Sequence, residues 1–353
     1  MRKLLLLSTL ALTLVACSDS TGPVSLDRAP DALANRGGPP APAAYAEFTL
    51  SAPVFGLSTA PDGSLTAAEG SAGLTELRKG AASLLAELPG VSGVDHVGRG
   101  DLFAVTGEAP EGVAPGSQSL FRVSHGNVRM VADLLAFEEA VNPDQVWNPL
   151  PPESNPFNVA HVRGGQVLVA DAAANAILMV ESDGDVDWVA VLPPQPLPFN
   201  GGVIPAQPVA TSVAVGPDGA YYAGELKGFP GTPGNSKVWR IEAGTRRTVC
   251  PSAECTMVLD GLTSIVDLEF GPDGTLYVAE LDAASWLATE TPTGIQPAAG
   301  GTVKACDVDA GTCAVMADGL DLPAGLAVGK DGTVWVAENS SIPGVATVRA
   351  IGP

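Results

Sequence analysis

Short apolar runs separated by tight polar turns recur along most of the chain, with the alternation of strands rather than helices. Residues 266–280, VDLEFGPDGTLYVAE, show the unit in full: an apolar strand, a Pro-Asp-Gly turn, a second apolar strand and a closing acid. Residues 55–69 (FGLSTAPDGSLTAAE), 211–225 (TSVAVGPDGAYYAGE) and 324–338 (AGLAVGKDGTVWVAE) repeat it closely, and residues 92–106 and 157–171 repeat it without the Pro-Asp pair. Copies about 54 residues apart suit four-stranded propeller blades that carry loop insertions. Pro presets the first turn position, Asp tolerates the next, and Gly takes the left-handed one that follows. The pattern predicts an all-β chain folded as a six-bladed β-propeller, four antiparallel strands per blade. The last blade begins near Leu322 and has room for about three strands before Pro353. Residues 45–51 (YAEFTLS) supply the fourth, an N-terminal strand that closes the ring and removes two exposed sheet edges. Helical periodicity is almost absent. Residues 74–88 (LTELRKGAASLLAEL) look helical by composition, yet their place in the repeat calls for two strands joined at Lys79-Gly80.

In an up-and-down blade the first-to-second and third-to-fourth turns share one face. These are expected to be tight throughout. The opposite face then holds every long insertion: residues 107–117, 139–155, 193–207, 226–236 and 281–300. They are Pro-rich and contain Trp147, Phe199, Phe229 and Trp286, the candidate binding aromatics. The acid that ends each copy falls on this face too: Glu69, Asp171, Glu225, Glu280 and Glu338, with Thr106 the exception and Glu108 two places beyond it. Where each first strand begins, the matched residues are Gly56, Gly93, Asn158, Ser212, Asp267 and Gly325, small or polar side chains expected to leave room around a central channel. No cofactor is implied with certainty, but such oxygen ligands suit Ca²⁺ or another divalent cation. The competing reading has each carboxylate accept backbone N–H groups of its own loop. His96 and His161 share a repeat position that is apolar in the other copies compared, as in Val215, Phe270 and Val328, which predicts core histidines. The sequence has no GxSxG, phosphate-binding glycine loop or haem CxxCH.

Residues 1–17, MRKLLLLSTLALTLVAC, place two basic residues before an apolar run too short to span a bilayer, the layout of a secretory signal. Its end, Leu14-Val15-Ala16-Cys17, resembles a bacterial lipobox, which implies lipidation of Cys17. Residues 18–44, rich in Pro, Gly, Ala and Asp, read as a flexible tether, and residues 45–353 as the propeller. The expected location is the bacterial envelope, held to the membrane by the N-terminal lipid alone. In that oxidising compartment Cys250 with Cys255, and Cys306 with Cys313, are expected to form two local disulfides. The mature chain carries 16 basic against 39 acidic residues, a charge of −23, which argues against nucleic acid as a partner. A monomer is expected.

Residues 155–172 (NPFNVAHVRGGQVLVADA) and 208–241 (PVATSVAVGPDGAYYAGELKGFPGTPGNSKVWRI) resemble the ScyD/ScyE family of secreted or periplasmic NHL-like propellers. The resemblance covers about residues 45–353 and implies the propeller fold without an established reaction. More distantly, calcium-dependent lactonases of the gluconolactonase type share the architecture and use Glu, Asn and Asp ligands. Two functions stand side by side. One is a binding propeller that takes a small molecule, glycan or envelope protein on its long-loop face. The other is a divalent-metal-dependent, lactonase-like hydrolase with its site at the central channel. A purely structural envelope protein is a third.

Overall fold

The computed structural model describes residues 47–98, 100–107 and 117–352; the signal with Cys17, the tether, and Glu108 lie outside them. Six small antiparallel sheets form a six-bladed β-propeller. Blade one comprises Val54–Thr59, Leu65–Glu69, Gly73–Arg78 and Ala81–Glu87. Blade two comprises Val91–Gly98, Asp101–Thr106, Ser119–Ser124 and Asn127–Asp133. Blade three runs through Pro156–His161, Val167–Asp171, Ala176–Val180 and Val186–Val191. Blade four holds Ala210–Val215, Tyr221–Glu225, Ser236–Ile241 and Cys255–Leu262, and blade five Ile265–Phe270, Leu276–Glu280, Gly301–Asp307 and Thr312–Leu320. Blade six contributes Leu326–Val328, Val334–Glu338 and Ala346–Gly352, and Phe48–Leu50 adds the fourth strand, with Phe48 opposite Val348 and Leu50 opposite Ala346. The ring closes as the repeat predicts.

Each blade buries both faces of its inner strands against its neighbours. One apolar cluster fills each of the six interfaces, from Leu74, Val94 and Leu102 between blades one and two to Leu57, Ala337 and Val348 between six and one. The helix-like stretch is two strands, as the repeat demands. Lys79 and Gly80 both take positive φ, 51° and 78°, the two-residue hairpin turn whose twist matches the strands it joins.

The tight turns follow one chemical rule. Gly63, Gly219, Gly274 and Gly332 sit at φ between 81° and 87°. Each preceding Asp accepts the N–H two residues on, at 3.2 Å for Asp62 with Ser64 and 3.0 Å for Asp273 with Thr275. The turn is therefore held by its own side chain before any tertiary contact forms.

Three features depart from the sequence reading. First, a helix occupies Leu134–Val141 after blade two, where Asp133 caps it by accepting from Ala136 N at 2.9 Å. Second, the insertion at 193–207 is a hairpin, Gln195–Phe199 paired with Gly202–Ala206 through Asn200-Gly201. The Asn-Gly dipeptide is the signal that announces it. Third, the tight-turn face is not uniformly tight. In blade four the third-to-fourth connection spans residues 242–254, and its Thr248–Val249 pairs parallel with Val186–Val191, adding a fifth strand to blade three. Ion pairs Arg246–Glu181 and Arg247–Asp187, at 2.8 and 2.9 Å, fasten it there, and the Cys250–Cys255 disulfide closes its return. Cys306 and Cys313 are bonded likewise, directly opposite each other on the outer hairpin of blade five.

Candidate functional site in the central channel

Five of the six inner strands carry the same irregularity. The register with the second strand shifts just before Gly56, Gly93, Asn158, Ser212 and Asp267, a β-bulge that kinks each strand near its start. The small residues at these positions do not leave room. They let the strands touch. A Cβ on Gly93 would lie 2.8 Å from Asn158 Cα, one on Gly56 2.8 Å from Ser92 O, and one on Gly325 2.9 Å from Gly56 C. Hydrogen bonds continue the collar: Ser92 Oγ donates to Pro156 O at 2.7 Å and Thr211 Oγ1 to Ile265 O at 2.6 Å. Asn158 Nδ2 donates to Asp267 Oδ1 at 2.9 Å, and Asp267 also accepts from Leu268 N and Leu326 N at 2.8 Å. Burial pushes the Asp267 carboxyl up to about 8, although those three donors pull it the other way. Ser212 Oγ is buried with no partner.

The acids that end the second strands are spoken for in their own blades. Glu69 accepts from Ser51 N and Ala52 N at 3.2 and 3.3 Å and from the Thr75 hydroxyl. Asp171 accepts from Ser154 Oγ at 2.5 Å, Asn155 N at 2.7 Å and Ala174 N at 3.2 Å. Glu280 takes Thr263 N and Thr302 Oγ1, both at 2.5 Å, and Lys304 Nζ at 2.7 Å. Glu338 takes Asp321 N at 3.1 Å and the Arg349 guanidinium. Glu225 is paired with Lys227 at 2.9 Å, and burial presses both towards their neutral forms, the carboxyl up and the amine down. The recurring role is to hold the backbone of the preceding linker. Among the described residues no three His, Cys, Asp or Glu side chains gather at metal-coordinating distance. Asn158 and Asp267 meet each other, and none of the five strand-end acids joins them.

On the long-loop face the aromatics are brought together only in part. Phe199 meets Phe229 edge to face, with centroids 4.7 Å apart. Trp286 donates Nε1–H to Lys227 O at 2.7 Å, and Trp147 packs half-buried on the core between blades two and three. The insertion at 281–300 is organised by the buried Asp282, which accepts from the N–H groups of Ala284, Ala298, Ala299 and Gly300 at 2.8 to 3.1 Å.

The cavity lies on the other side of the collar. A chamber of about 130 Å³ has the Asn158–Asp267 bridge as its floor and ends at Thr59, His161, Val215 and Val328, the last residues of inner strands before the tight turns. Here the expectation of a core His161 fails. Its Nδ1 pairs with Asp95 Oδ2 at 2.7 Å, its backbone N–H meets the same oxygen at 2.7 Å, and the half-exposed ring lines the chamber. The Asp95 hydrogen bond raises the imidazole above its usual range. His96 does pack between blades, its Nε2 on Thr66 Oγ1 at 2.9 Å, and burial lowers it. Glu269 completes the chamber. Its side chain is exposed to the channel solvent, and the protein packed around it, with the Asp95 and Asp267 charges, shifts its carboxyl upward. Asp95 and Glu269 were missed by comparing repeat positions because their counterparts, Ser58, Ala160, Ala214 and Ala327, share no chemistry.

No protein-family model matches the sequence, and no curated protein matches it. Solved propellers do match in fold. A Thermus thermophilus protein named as a putative oxidoreductase (glucose dehydrogenase) aligns with a TM-score of 0.55 at 18% identity, over 87% of this chain and 99% of its own. Regucalcin from Agrobacterium tumefaciens, named as calcium-binding, aligns at 0.55 with 13% identity, over 88% and 95%. The calcium structure of a Trichoderma reesei carbohydrate-active enzyme of family AA12 aligns at 0.53 with 11% identity, over 88% and 96%. At these identities the likeness shows a shared fold, on which unrelated chemistries are mounted.

Proposed function

We propose that this protein is a lipid-anchored propeller of the bacterial envelope, of ScyD/ScyE type, that works as a monomer and captures a glycan or an envelope protein on its long-loop face. The observation that carries the reading is the braced hairpin at 195–206. Its exposed surface presents Pro196, Pro198, Val203 and Pro205, while Phe199 rests on Phe229 and Gln195 accepts from Lys237 Nζ at 2.6 Å. A projecting apolar element that is already ordered loses little freedom on binding. The Asn158–Asp267 hydrogen bond crosses the channel behind this face, which favours a partner that docks over the face rather than one that threads in. Replacing residues 195–206 with a short Gly-Asn-Gly turn should abolish retention on glycan arrays or on outer-membrane vesicles, with the fold intact by circular dichroism. Retention equal to the parent chain would sink the proposal. The anchor is tested separately, by mass spectrometry of the mature N-terminus: a diacylglyceryl Cys17 is expected, and its loss in Cys17→Ser.

A further inference from the structure

The collar separates the long-loop face from the chamber, and the chamber has its own unused chemistry. Asp95 is engaged by His161 and by Ser58 Oγ at 3.4 Å. Asp267 is engaged by Asn158 and two backbone N–H groups. Glu269 has neither hydrogen bond nor ion pair, only the repulsion of Asp95 and Asp267. It is exposed to the channel and no group of its own blade holds it, and its counterparts in three blades are alanines. The remaining walls are apolar, from Leu57, Val94, Val215, Ala214, Leu326 and Ala327.

We propose that the chamber is a binding site for a small organic cation, a primary or quaternary ammonium whose charge is met by Glu269 and whose alkyl part rests on the aliphatic walls. Asp95 is engaged by His161 and Asp267 keeps its proton until about pH 8, so the free carboxyl that a ligand meets is that of Glu269. An organic cation suits the chamber better than a metal ion, because the acids here do not converge as a ligand set and most of the lining offers no donor oxygen from a side chain. The volume admits a head group of a few heavy atoms, not a sugar or a peptide.

Binding is then linked to protons. The titratable groups facing Glu269 are Asp267 on its own strand, Asp95 from blade two and His161 from blade three; blades one, four and six present only Ser58, Thr59 and apolar residues. The cation prefers the ionised carboxyl, so Glu269 gives up its proton on binding. Affinity should rise with pH up to its raised pKa, by at most tenfold per unit for one proton.

The full chain is titrated with methylammonium and tetramethylammonium, and separately with CaCl₂, by calorimetry in buffers of different ionisation enthalpy. The expected result is saturable ammonium binding with proton release, tightening as pH rises, and at least tenfold weaker in Glu269→Gln. Gln is isosteric with the neutral acid, so this variant should fold with an unchanged or higher Tm. A ¹³C-carboxyl titration of the unmutated protein gives a second reading that needs no variant: the Glu269 resonance should titrate at lower pH when ammonium is present. Ammonium binding that is absent, or equal in Glu269→Gln, overturns the proposal. So does a site that takes Ca²⁺ through Glu269 but no ammonium ion.

Discussion

Carboxylates occupy both ends of the inner blade strands, and the two ends use them in opposite ways. On the long-loop side Glu69, Asp171, Glu280 and Glu338 are saturated by backbone N–H groups, hydroxyls or a cation of their own blade. Across the collar, Glu269 faces the chamber with no hydrogen bond or ion pair of its own, and Asp95 holds a histidine from the next blade. The first set repeats with the blades and does what a repeat does, stabilising each unit. The second breaks the repeat, and a site needs that asymmetry.

The comparison is most severely tested at the collar itself. Gly93→Val should be the most damaging change, since its first carbon already lies 2.8 Å from backbone atoms of blade three that cannot move aside singly. A loss of about 3 kcal/mol is expected in urea unfolding, at the upper end of overpacking costs. A loss under about 0.5 kcal/mol would mean that the inner strands do not touch there. Next comes the strapped connection between blades four and three. Replacing Cys250 and Cys255 together by Ser should cost about 2 kcal/mol, the low end for a disulfide that closes a short loop.

Acidity gives a smaller but more diagnostic effect. Glu138, on the helix after blade two, is buried beside Asp171 and Asp144, with Oε2 unpartnered, and burial first and those two charges second raise it to about 8. Asp267 in the collar is raised to about 8 as well. In the unfolded chain both acids release their protons near pH 4, whereas the folded protein retains them until about pH 8. Between those limits the unfolded state binds fewer protons than the native one, so stability should fall as pH rises from 4 to 8 and level off above. Scanning calorimetry reads this directly as a declining Tm. Glu138→Gln should flatten part of the slope on the long-loop side and leave the channel untouched. An unchanged slope would remove Glu138 from the account.

The smallest effect expected is that of chelation. Because the strand-end acids already have donors, EDTA should move Tm by less than a degree or so, within the scatter of surface perturbations. A larger fall would show that a divalent cation competes for these carboxylates, and would revive the lactonase-like alternative.

Much of the architecture was legible in the sequence because it is local. A Pro-Asp-Gly turn encodes its own geometry, and a residue such as Lys79 next to Gly80 joins strands whatever lies across from them. Closure by residues 48–50 follows from counting strands, and the two disulfides from spacing. The same repeat logic offered self-satisfied acids as one of two readings, and the structure favours it, since a carboxylate with hydrogen-bond donors 3 to 22 residues away is a property of one blade. What it misjudged has a common cause. The helix at 134–141 and the hairpin at 195–206 carry local signals, a capping Asp133 and Asn200-Gly201, that a repeat-based reading passes over because neighbouring copies lack them. The strand at 248–249 has no such signal, being ordered by another blade.

The sequence by itself determined the number of blades, the closing strand and the turn chemistry. All of these depend on residues near one another along the chain. Only the tertiary structure decided that Gly56, Gly93 and Gly325 let neighbouring inner strands touch rather than leave room around the channel, and that Asp95 from blade two meets His161 from blade three. Only it, too, left Glu269 facing a chamber without a partner. The distances that matter there run across the ring, between residues 66 and more than a hundred positions apart, and a bulge that turns one side chain towards the axis has no counterpart in the pattern of apolar positions.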